Sequence, residues 1–420
     1  MSEIEKMTLE SESLIDDRLN KLKELMPEVF SESGIDFDKL RLELGDEVDE
    51  GLERYAFTWP GKADAIRQSQ MSSTATLRPR IEKSRSRDGE DGSFDSDNIY
   101  IEGDNLEVLK LLQRGYHGKV KMIYIDPPYN TGHDFVYKDN FGNSVDNYKE
   151  QAGLAGQSNA DTSGRYHSDW CSMMYPRLRL ARELLTDDGV IFISIDDNED
   201  RNLRILCDEV FGEANFVSQL IWERAYSPKN DAKYVSNSHD YVLVYAKSIE
   251  RFVIGRLPRT DEANARYKNP DNDPRGVWKP SDLSVKTYSP DSDYPITTPS
   301  GRVVEPPAGR CWRLSRNAFR ERLQDNRIWF GPNGDSVPCI KRFLTELKYD
   351  GMAPTSIMFY KEVGHSQEGA KELVSLFDGK GYFDGPKPTK LLQRLITLAN
   401  CFFASIKSSL LYSIVTLHNF

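Results

Sequence analysis

The pattern of hydrophobic and polar positions between residues 98 and 211 alternates between short apolar runs and helical stripes. Ile123–Ile125 and Val190–Ile195 are apolar runs typical of buried strands. Helical spacing occurs at Leu106, Leu109 and Leu112, at Leu178, Ala181, Leu184 and Leu185, and at Leu203, Leu206 and Val210. Asn98–Glu102 predicts a further strand, which completes a βαβ unit of about 30 residues. Strands alternating with helices predict an α/β fold with a doubly wound parallel sheet.

Turn-forming residues suggest where these elements begin and end. Pro176 has no backbone N–H, so we expect it in the first turn of the second helix, after His167–Trp170. Asp187-Asp188-Gly189 predicts a turn before the strand Val190–Ile195. Asp196–Glu199 then ends that strand and opens the third helix.

Segments of different character precede this core. Residues 1 to about 58 are acidic and have a helical pattern. One helical face is apolar and could pack on the core or on a partner subunit; it consists of Leu19, Leu22, Leu25 and Met26. Glu53–Lys62 is an aromatic cluster best explained by packing. Ser72–Asn98 is polar and predicts a linker. Its basic first half favours a solvated charge run, with a phosphate-contacting arm as the alternative.

Residues from 247 to about 360 are rich in Pro, Asp, Gly and isolated aromatics, which indicates an irregular, partly β insertion. Pro299-Ser300-Gly301 predicts a hairpin within it. Six arginines make the insertion locally basic: Arg302, Arg310, Arg313, Arg316, Arg320 and Arg322. Such a region suits contacts to phosphates and base edges, and a generic insertion domain is the alternative.

Composition narrows the class of protein. The net charge of -11 argues against a uniformly basic nucleic-acid binder, although duplex binding requires only a local basic surface. No stretch approaches the roughly 18 to 20 apolar residues of a membrane span, and the first residues lack the order of a signal peptide. The five cysteines show no paired spacing, so neither a disulfide framework nor a metal site is predicted. We expect a cytoplasmic protein without membrane contact.

Candidate chemistry is concentrated where the first long apolar run ends, in the sequence Ile-Tyr-Ile-Asp-Pro-Pro-Tyr-Asn-Thr-Gly from Ile123. Pro127 and Pro128 remove backbone donors and fix φ, so a stiff loop holds Asp126 and Tyr129 at the carboxyl end of a strand. Ligands bind at that edge in open α/β sheets. A carboxylate and a proline carbonyl accept hydrogen bonds from an exocyclic amino group, and an aromatic ring stacks on its base. The pattern favours base binding over an ordinary proline-rich turn.

Acidic and hydroxyl residues at other element ends are further candidates. Asp104 precedes a helix with Glu107 three residues on, so a capping box and a cofactor contact are both open. Ser194 and Asp196 end the second strand beside Asp126, where they are expected to line the base pocket. Asp197 and Glu199 are explained more simply as helix caps.

Four motifs together resemble one family. They are Tyr-Ile-Glu-Gly-Asp-Asn-Leu-Glu-Val-Leu from Tyr100, the loop sequence from Ile123, Asp-Gly-Val-Ile-Phe-Ile-Ser-Ile-Asp-Asp-Asn-Glu from Asp188, and Tyr-Phe-Asp-Gly-Pro-Lys-Pro from Tyr382. They resemble the modification (Mod) subunits of type III restriction–modification systems, adenine-specific DNA methyltransferases whose catalytic motif precedes the cofactor motif. The resemblance runs from about residue 20 to about 399. It implies a Rossmann-like core that uses S-adenosyl-L-methionine to methylate adenine in double-stranded DNA.

The resemblance also implies roles and partners. Asp126 and the Pro127 carbonyl would hold the amino group of a flipped adenine, and Tyr129 would stack on its ring. Pro128 belongs to the same catalytic motif, and Asn130 joins the substrate-binding residues. The cofactor would contact Asp104, Phe383, Asp384 and Lys387. Methyl transfer would be a direct in-line displacement without a covalent enzyme intermediate. A homodimer and a restriction (helicase–nuclease) subunit are the expected partners.

These implications divide the chain into six segments. They are a helical N-terminal segment (1–71), a linker (72–97), the catalytic half of the core (98–224), a target-recognition region (225–375), a cofactor-contacting segment (376–399) and an aberrant tail (400–420).

The tail departs from the family pattern. The family continues to a strand that ends in a Phe-x-Gly-x-Gly loop, which holds the methionine part of the cofactor. This chain has no glycine after Gly385, and without glycine the backbone cannot approach the cofactor in that manner. We therefore expect a truncation or reading-frame change that deprives the sheet of further strands. The expected result is poor cofactor binding and weak or absent methylation.

Two alternatives to an active methyltransferase remain. A non-catalytic remnant would keep DNA binding or assembly without transfer, as the missing glycine loop favours. An unrelated α/β nucleotide-binding enzyme is disfavoured, because neither a phosphate loop nor a dinucleotide fingerprint occurs.

Overall fold

The structure is a computed structural model that describes residues 13–31, 34–44, 57–85, 98–130, 164–230, 232–382, 385–400 and 413–418. The chain forms two compact units, one from Met1–Gly255 with Thr355–Phe420 and the other from Arg256–Pro354. Phe383 and Asp384, two of the predicted cofactor contacts, lie outside the described residues.

Helices and strands alternate through most of the described chain. The helices are α1 (Leu14–Leu25), α2 (Phe37–Leu44), α3 (Lys62–Gln70), α4 (Asn105–Tyr116), α5 (Gly164–Leu184), α6 (Asp200–Phe211), α7 (Asp261–Ala265), α8 (Arg316–Gln324), α9 (Tyr360–Val363), α10 (Ser366–Leu376) and α11 (Thr389–Leu398). The strands are β1 (Phe30–Ser31), β2 (Gly34–Ile35), β3 (Val120–Asp126), β4 (Leu185–Ile195), β5 (Phe216–Glu223), β6 (His239–Ala246), β7 (Trp278–Asp282), β8 (Ser284–Val285), β9 (Ile296–Thr297), β10 (Val303–Val304), β11 (Cys311–Trp312), β12 (Ile328–Trp329), β13 (Cys339–Phe343), β14 (Ile357–Met358) and β15 (Ser413–His418).

A six-stranded sheet with the order β14-β5-β6-β4-β3-β15 forms the centre of the first unit. β3 pairs in parallel with β4 and β15, and β5 pairs in parallel with β14. β6 runs antiparallel to both β4 and β5, so the sheet is mixed where the sequence predicted parallel strands. The antiparallel pairing of β4 with β6 aligns Ile195, at the end of β4, with Tyr241, near the start of β6. The start of β6 therefore lies at the same edge as the ends of β3 and β4.

The predicted apolar faces form the core of this unit. Ile123 on β3 and Ile191 and Ile193 on β4 are fully buried. The helical stripes on α4, α5 and α6 meet the sheet with Leu109, Leu178, Ala181, Leu184, Leu203 and Leu206, each at 0% exposure. This burial confirms the predicted core of alternating strands and helices, because apolar area removed from water supplies most of the stabilisation.

Two predicted element boundaries are wrong. Asn98–Glu102 is not a strand: Ile99 and Tyr100 are 67% and 76% exposed, so this run buries no face. Pro176 lies inside α5 and not in its first turn, and His167–Trp170 also belongs to that helix. Burial of Trp170 before the proline and Leu178 after it holds both turns in place, and this packing outweighs the missing hydrogen bond.

The expectation that the tail adds no strand is also wrong. β15 pairs in parallel with β3, with Val415 aligned to Ile123 and His418 aligned to Asp126. Its sequence, Ser-Ile-Val-Thr-Leu-His, is rich in β-branched residues, which suit an extended backbone. The open edge of β3 is thereby covered.

The N-terminal segment contributes one buried aromatic contact. Trp59 is 8% exposed, lies 5.5 Å from the Tyr175 ring, and donates its indole N–H to Ser172 Oγ at 2.9 Å. This agrees with the packing interpretation of the aromatic cluster. α1 buries Leu14 but exposes Leu25 at 78%. None of the described helices has the length and apolar composition that crossing a bilayer demands.

The second unit, Arg256–Pro354, contains short antiparallel pairings. β7 and β12 flank β13, β8 pairs with β11, and β9 pairs with β10 around the predicted Pro299-Ser300-Gly301 hairpin. Its core includes Trp312, Phe319 and Ile340. Residues 225–255 and 355–375, which the sequence analysis placed with this region, belong to the first unit, because β6 and β14 join the central sheet.

Candidate active site

Asp126 stands at the end of β3, where its carboxylate receives both of its hydrogen bonds from one lysine. Lys387 Nζ donates to Asp126 Oδ1 at 2.6 Å and to Oδ2 at 2.8 Å. The two side chains are only 9% and 8% exposed. The same ammonium lies 5.0 Å from the centre of the Tyr129 ring. Lys387, predicted as a cofactor contact, therefore occupies the face formed by the predicted catalytic residues.

Neighbouring elements fix the proline loop. Trp170 on α5 donates its indole N–H to the Pro128 carbonyl at 2.8 Å. The Tyr129 hydroxyl donates to Asp240 Oδ2 at 3.5 Å, a long contact, and Asp240 also pairs with Arg224 Nε at 2.8 Å. Within the described residues, the Pro127 carbonyl accepts no hydrogen bond. The stiff loop that the prolines predict is thus supported from a helix and from β6.

Asn130 is held by a buried carboxylate that the sequence analysis assigned to a helix cap. Glu199 is fully buried and accepts from Asn130 Nδ2, from Asn202 Nδ2 at 2.7 Å and from His167 Nδ1 at 2.7 Å. Glu199 occupies the N-cap position of α6, as predicted, but its side chain makes no capping hydrogen bond there. Asn130 has φ of 53°, a left-handed conformation that asparagine tolerates better than most residues. Glu199 stabilises that conformation beside Tyr129.

The predicted pocket residues at the end of β4 have other partners. Ser194 is 1% exposed and its hydroxyl shares a 2.8 Å hydrogen bond with the Tyr124 hydroxyl. Asp196 accepts from the backbone and side chain of Asn198 at 3.0 and 2.8 Å. Partial burial raises the pKa of Asp196. Both residues lie at the edge that carries Asp126, and their contact with a base stays a prediction.

Two of the four predicted cofactor contacts, Asp104 and Lys387, lie among the described residues. Asp104 caps α4 by accepting from the backbone N–H of Glu107 at 2.9 Å, which confirms the capping interpretation. Lys387 is committed to Asp126. Neither side chain leaves a buried polar atom for a cofactor, and residues 386–420 contain no glycine for a close backbone approach. The contacts of Asp104 and Lys387 with the cofactor stay predictions.

We expect the Asp126–Lys387 pair to behave as a buried ion pair. Asp126→Asn and Lys387→Met should each lower the free energy of unfolding by about 3 kcal/mol, because each leaves an uncompensated buried partner. The double variant should lose less than the sum of the two. Urea unfolding of all four proteins measures this coupling. The matched control is Asp188–Lys121, a pair whose carboxylate is 54% exposed, for which we expect less than about 1 kcal/mol. Additive losses at Asp126 and Lys387 would contradict the buried pair.

Comparison with known proteins places this geometry in a family. Residues 120–401, about two thirds of the chain, match the family model described as DNA methylase. The chain belongs to the DNA methylase family. The match includes β3, the proline loop and Lys387, so the residues that meet at Asp126 all lie within the methylase region.

Curated relatives confirm the resemblance to Mod subunits. The chain is 37% identical to the type III restriction–modification enzyme StyLTI Mod subunit of Salmonella typhimurium, over 91% of this chain and 58% of that protein. It is 33% identical to the EcoPI Mod subunit of Escherichia phage P1, over 91% of this chain and 63% of that protein. The type II methyltransferase M.KpnI of Klebsiella pneumoniae is 31% identical over 73% of this chain and 71% of its own length. The chain thus spans about three fifths of the two Mod subunits.

Sequence reasoning did not predict the contacts of two residues, Asp240 and Glu199, with the proline loop. Asp240 is the second residue of β6. It could have been recognised if β6 had been identified as antiparallel, since the start of β6 then lies at the sheet edge that carries Asp126. Glu199 follows Asp196-Asp197-Asn198, and its position one helical turn before Leu203 was a signal for a buried side chain.

Asp240 makes the stability of the methylase depend on pH. Burial, with Asp196 and Asp126 nearby, raises the pKa of Asp240 to about 6, although Arg224 and Lys387 act in the opposite direction. A carboxyl whose pKa is raised in the fold stabilises the fold at acidic pH and loses that contribution as pH rises through the folded pKa. Between pH 4 and pH 7 the wild type should therefore lose about 2 kcal/mol relative to Asp240→Asn.

Urea unfolding of both proteins at each pH tests this expectation. Asp240→Asn leaves Arg224 without its carboxylate partner at every pH. The resulting loss in the free energy of unfolding is therefore the same at each pH and does not affect the comparison. Parallel stability curves for the two proteins would show that Asp240 has an ordinary pKa.

Proposed function

We propose that this chain methylates the exocyclic amino group of adenine in double-stranded DNA, as the modification subunit of a type III restriction–modification system. The observation that carries the proposal is Asp126, held at the end of β3 with both carboxylate oxygens facing an ammonium donor beside the Tyr129 ring. The Mod subunits of Salmonella typhimurium and phage P1 support the assignment to type III systems. S-adenosyl-L-methionine is the methyl donor of this family and supplies an activated methyl group when bound.

The protein residues act on the amino group of the base. A flipped adenine would stack on Tyr129, and its two amino hydrogens would reach the Asp126 carboxylate and the Pro127 carbonyl. Transfer would form a bond from the nitrogen to the methyl carbon and break the bond between that carbon and the donor's sulfur, which keeps the electron pair. The nitrogen would gain positive charge and then release one proton to water. A fixed carboxylate stabilises that charge without rearranging, which is the main source of catalysis in such sites.

Lys387 gives this account a specific requirement. Its ammonium now donates to both Asp126 oxygens, which are the positions that an adenine amino group would take. Adenine therefore replaces Lys387 at Asp126 on binding. The buried carboxylate has a hydrogen-bond donor both in the free protein and with adenine bound, so the exchange leaves no unpaired buried charge.

The second unit supports contact with DNA phosphates. Residues 256–354 contain seventeen Lys and Arg against thirteen Asp and Glu, a net charge of +4 in a chain of net -11. This unit has a concave pocket with a volume of about 610 Å³. Among the described residues, six cations that line the pocket have no carboxylate within ion-pair distance: Arg256, Lys279, Arg313, Arg322, Arg342 and Lys348. Unpaired cations on a concave surface suit a phosphate backbone. We assign target recognition to this unit.

Neutralising these cations should change the salt dependence of binding. Arg313→Ala and Arg322→Ala should each weaken duplex binding and reduce the slope of log K against log salt by about one, since each removes one phosphate contact. Fluorescence anisotropy from 50 to 300 mM NaCl measures the slope. Lys21→Ala is the control, because Lys21 pairs with Asp17 on α1. Slopes equal to the wild type in both arginine variants would remove this surface from the DNA contact.

The N-terminal helices support the proposed homodimer. Leu25 and Phe37 are 78% and 73% exposed on neighbouring elements of the first unit. Contiguous exposed apolar patches mark subunit contacts, and these two side chains would contribute to one. A monomeric mass by light scattering at micromolar concentration would contradict the dimer. The restriction (helicase–nuclease) subunit is proposed as the further partner from the named relatives alone.

Cofactor binding separates the transferase from its alternative. Because residues 386–420 lack glycine, we infer that the chain binds S-adenosyl-L-methionine more weakly than micromolar and transfers methyl only at high donor concentration. Calorimetry with a micromolar dissociation constant would contradict weak binding. The alternative, a DNA-binding remnant, predicts filter retention of duplex DNA with no methyl incorporation at any donor concentration. Parallel filter-binding and methyl-transfer assays distinguish the two.

A further inference from the structure

The connection between β5 and β6, which leads into Asp240, exposes two large apolar side chains to solvent. Tyr234 is 84% exposed and Val235 is 87% exposed. Connections of this kind normally carry polar or small residues at their tips. Lys229 and Lys233 are exposed in the same connection, and Lys233 Nζ lies 5.1 Å from the Tyr234 ring centre. Asp231 lies outside the described residues.

The base of this connection is fixed to the active site. The backbone N–H groups of Arg224 and Ala225 both donate to the Ser238 carbonyl, at 2.9 and 3.2 Å. Asn237 Nδ2 donates to Asp197 Oδ2 at 2.5 Å, just after β4. Asp240, two residues beyond Ser238, accepts from the Tyr129 hydroxyl. The tip is therefore carried by residues that contact the catalytic loop.

The connection is also braced on its other side. Tyr226 lies 5.7 Å from the Tyr360 ring and 5.3 Å from the His365 ring. The backbone N–H of Lys229 donates to Ser236 Oγ at 2.7 Å, which closes the connection below its tip. A braced base with an apolar tip can enter a narrow space without first becoming ordered, which reduces the entropy lost on binding.

We propose that Tyr234 and Val235 form a wedge that enters the DNA base stack where the target adenine leaves it. This inference rests on the proposed function, because a base reaches Asp126 only when it is out of the duplex. Extrusion leaves a gap in the stack, and an apolar wedge fills such a gap by contacting the exposed base faces. Lys229 and Lys233, which precede the tip, then contact neighbouring phosphates. The occupant is duplex DNA, since two lysines precede the apolar tip residues and the connection continues into Asp240, which contacts Tyr129.

The test uses the full chain and a duplex that it selects from a random-sequence DNA library. Each adenine of the selected sequence is replaced in turn by 2-aminopurine, whose fluorescence rises when it leaves the stack. We expect the wild type to raise the fluorescence at one position. Tyr234→Ala should lower the extruded fraction by about tenfold, as expected for loss of one stacked ring, while anisotropy shows duplex binding within about threefold of the wild type. Tyr234→Phe keeps the ring and should behave as the wild type.

Two controls separate a wedge from a general defect. Placing an abasic site opposite the 2-aminopurine removes most of the extrusion cost, so Tyr234→Ala should recover most of its signal there. Val253→Ala removes another exposed apolar side chain, 65% exposed beyond β6, and should leave extrusion unchanged. Extrusion by Tyr234→Ala equal to the wild type in the paired duplex overturns the wedge. Selection of no duplex overturns DNA binding itself, whereas a bound duplex without extrusion overturns base flipping and the wedge together.

Discussion

Asp126→Ala is expected to lower methyl transfer to adenine by about a hundredfold to a thousandfold at saturating donor and DNA. The carboxylate is fixed by the proline loop and is 9% exposed, so no water replaces it efficiently as an acceptor. Removing one preorganised electrostatic contact from a transition state costs about this much in rate. Duplex affinity should change by less than about threefold, because phosphate contacts dominate it. Incorporation of tritiated methyl groups into DNA of mixed sequence measures the rate.

The control for this substitution is Asp188→Ala. Asp188 is also paired with a lysine, Lys121, at 2.7 Å, but it is partly exposed and precedes the buried part of β4. The Asp188→Ala variant should therefore transfer methyl at the wild-type rate. Circular dichroism at the assay temperature verifies that Asp126→Ala remains folded despite the unpaired Lys387. Transfer by folded Asp126→Ala within tenfold of the wild type would contradict the role of the carboxylate.

Glu199→Ala is expected to have the second largest effect, through the position of the catalytic loop. The substitution removes the acceptor of Asn130, His167 and Asn202, and leaves the buried Asn130 amide without a partner. We expect a loss of about 3 kcal/mol in the free energy of unfolding. Misplacement of the adjacent Tyr129 by about 1 Å should lower methyl transfer by about a hundredfold.

A positioning role predicts a graded series. Glu199→Gln keeps the volume and one acceptor oxygen, so its transfer rate should fall between those of the wild type and Glu199→Ala. Glu209→Ala on the same helix removes the acceptor of Lys62 and Tyr175, and it should lower stability without lowering transfer beyond the unfolded fraction. If Glu199→Ala and Glu209→Ala lose transfer only in proportion to their lost stability, Glu199 has a purely structural role.

Much of the fold could be predicted from the local pattern of apolar and polar residues. The strands β3 and β4 and the stripes of α4 and α6 were predictable because each is buried, and burial imposes the period of the element on the sequence. The capping role of Asp104 was predictable because a capping box is a contact between residues three apart. These features depend on neighbours in sequence.

Features that depend on distant contacts were not predictable. The direction of β6 is set by its pairing with β4 and β5, so the position of Asp240 beside Tyr129 could not be inferred from the run Tyr241–Ala246 alone. Pro176 favoured a helix start locally, and burial of the surrounding turns of α5 overrides that preference. The Lys387–Asp126 contact joins residues 261 positions apart, and no local rule pairs them.

The most direct test of adenine methylation at Asp126 is mass spectrometry of nucleosides from unmethylated mixed-sequence DNA. The DNA is incubated with the full chain and millimolar S-adenosyl-L-methionine, alongside Asp126→Ala. The account predicts N6-methyladenine above background with the wild type and a reduction of at least about a hundredfold with Asp126→Ala. N4-methylcytosine as the product, or no methylated base although the chain binds both DNA and donor, would contradict it.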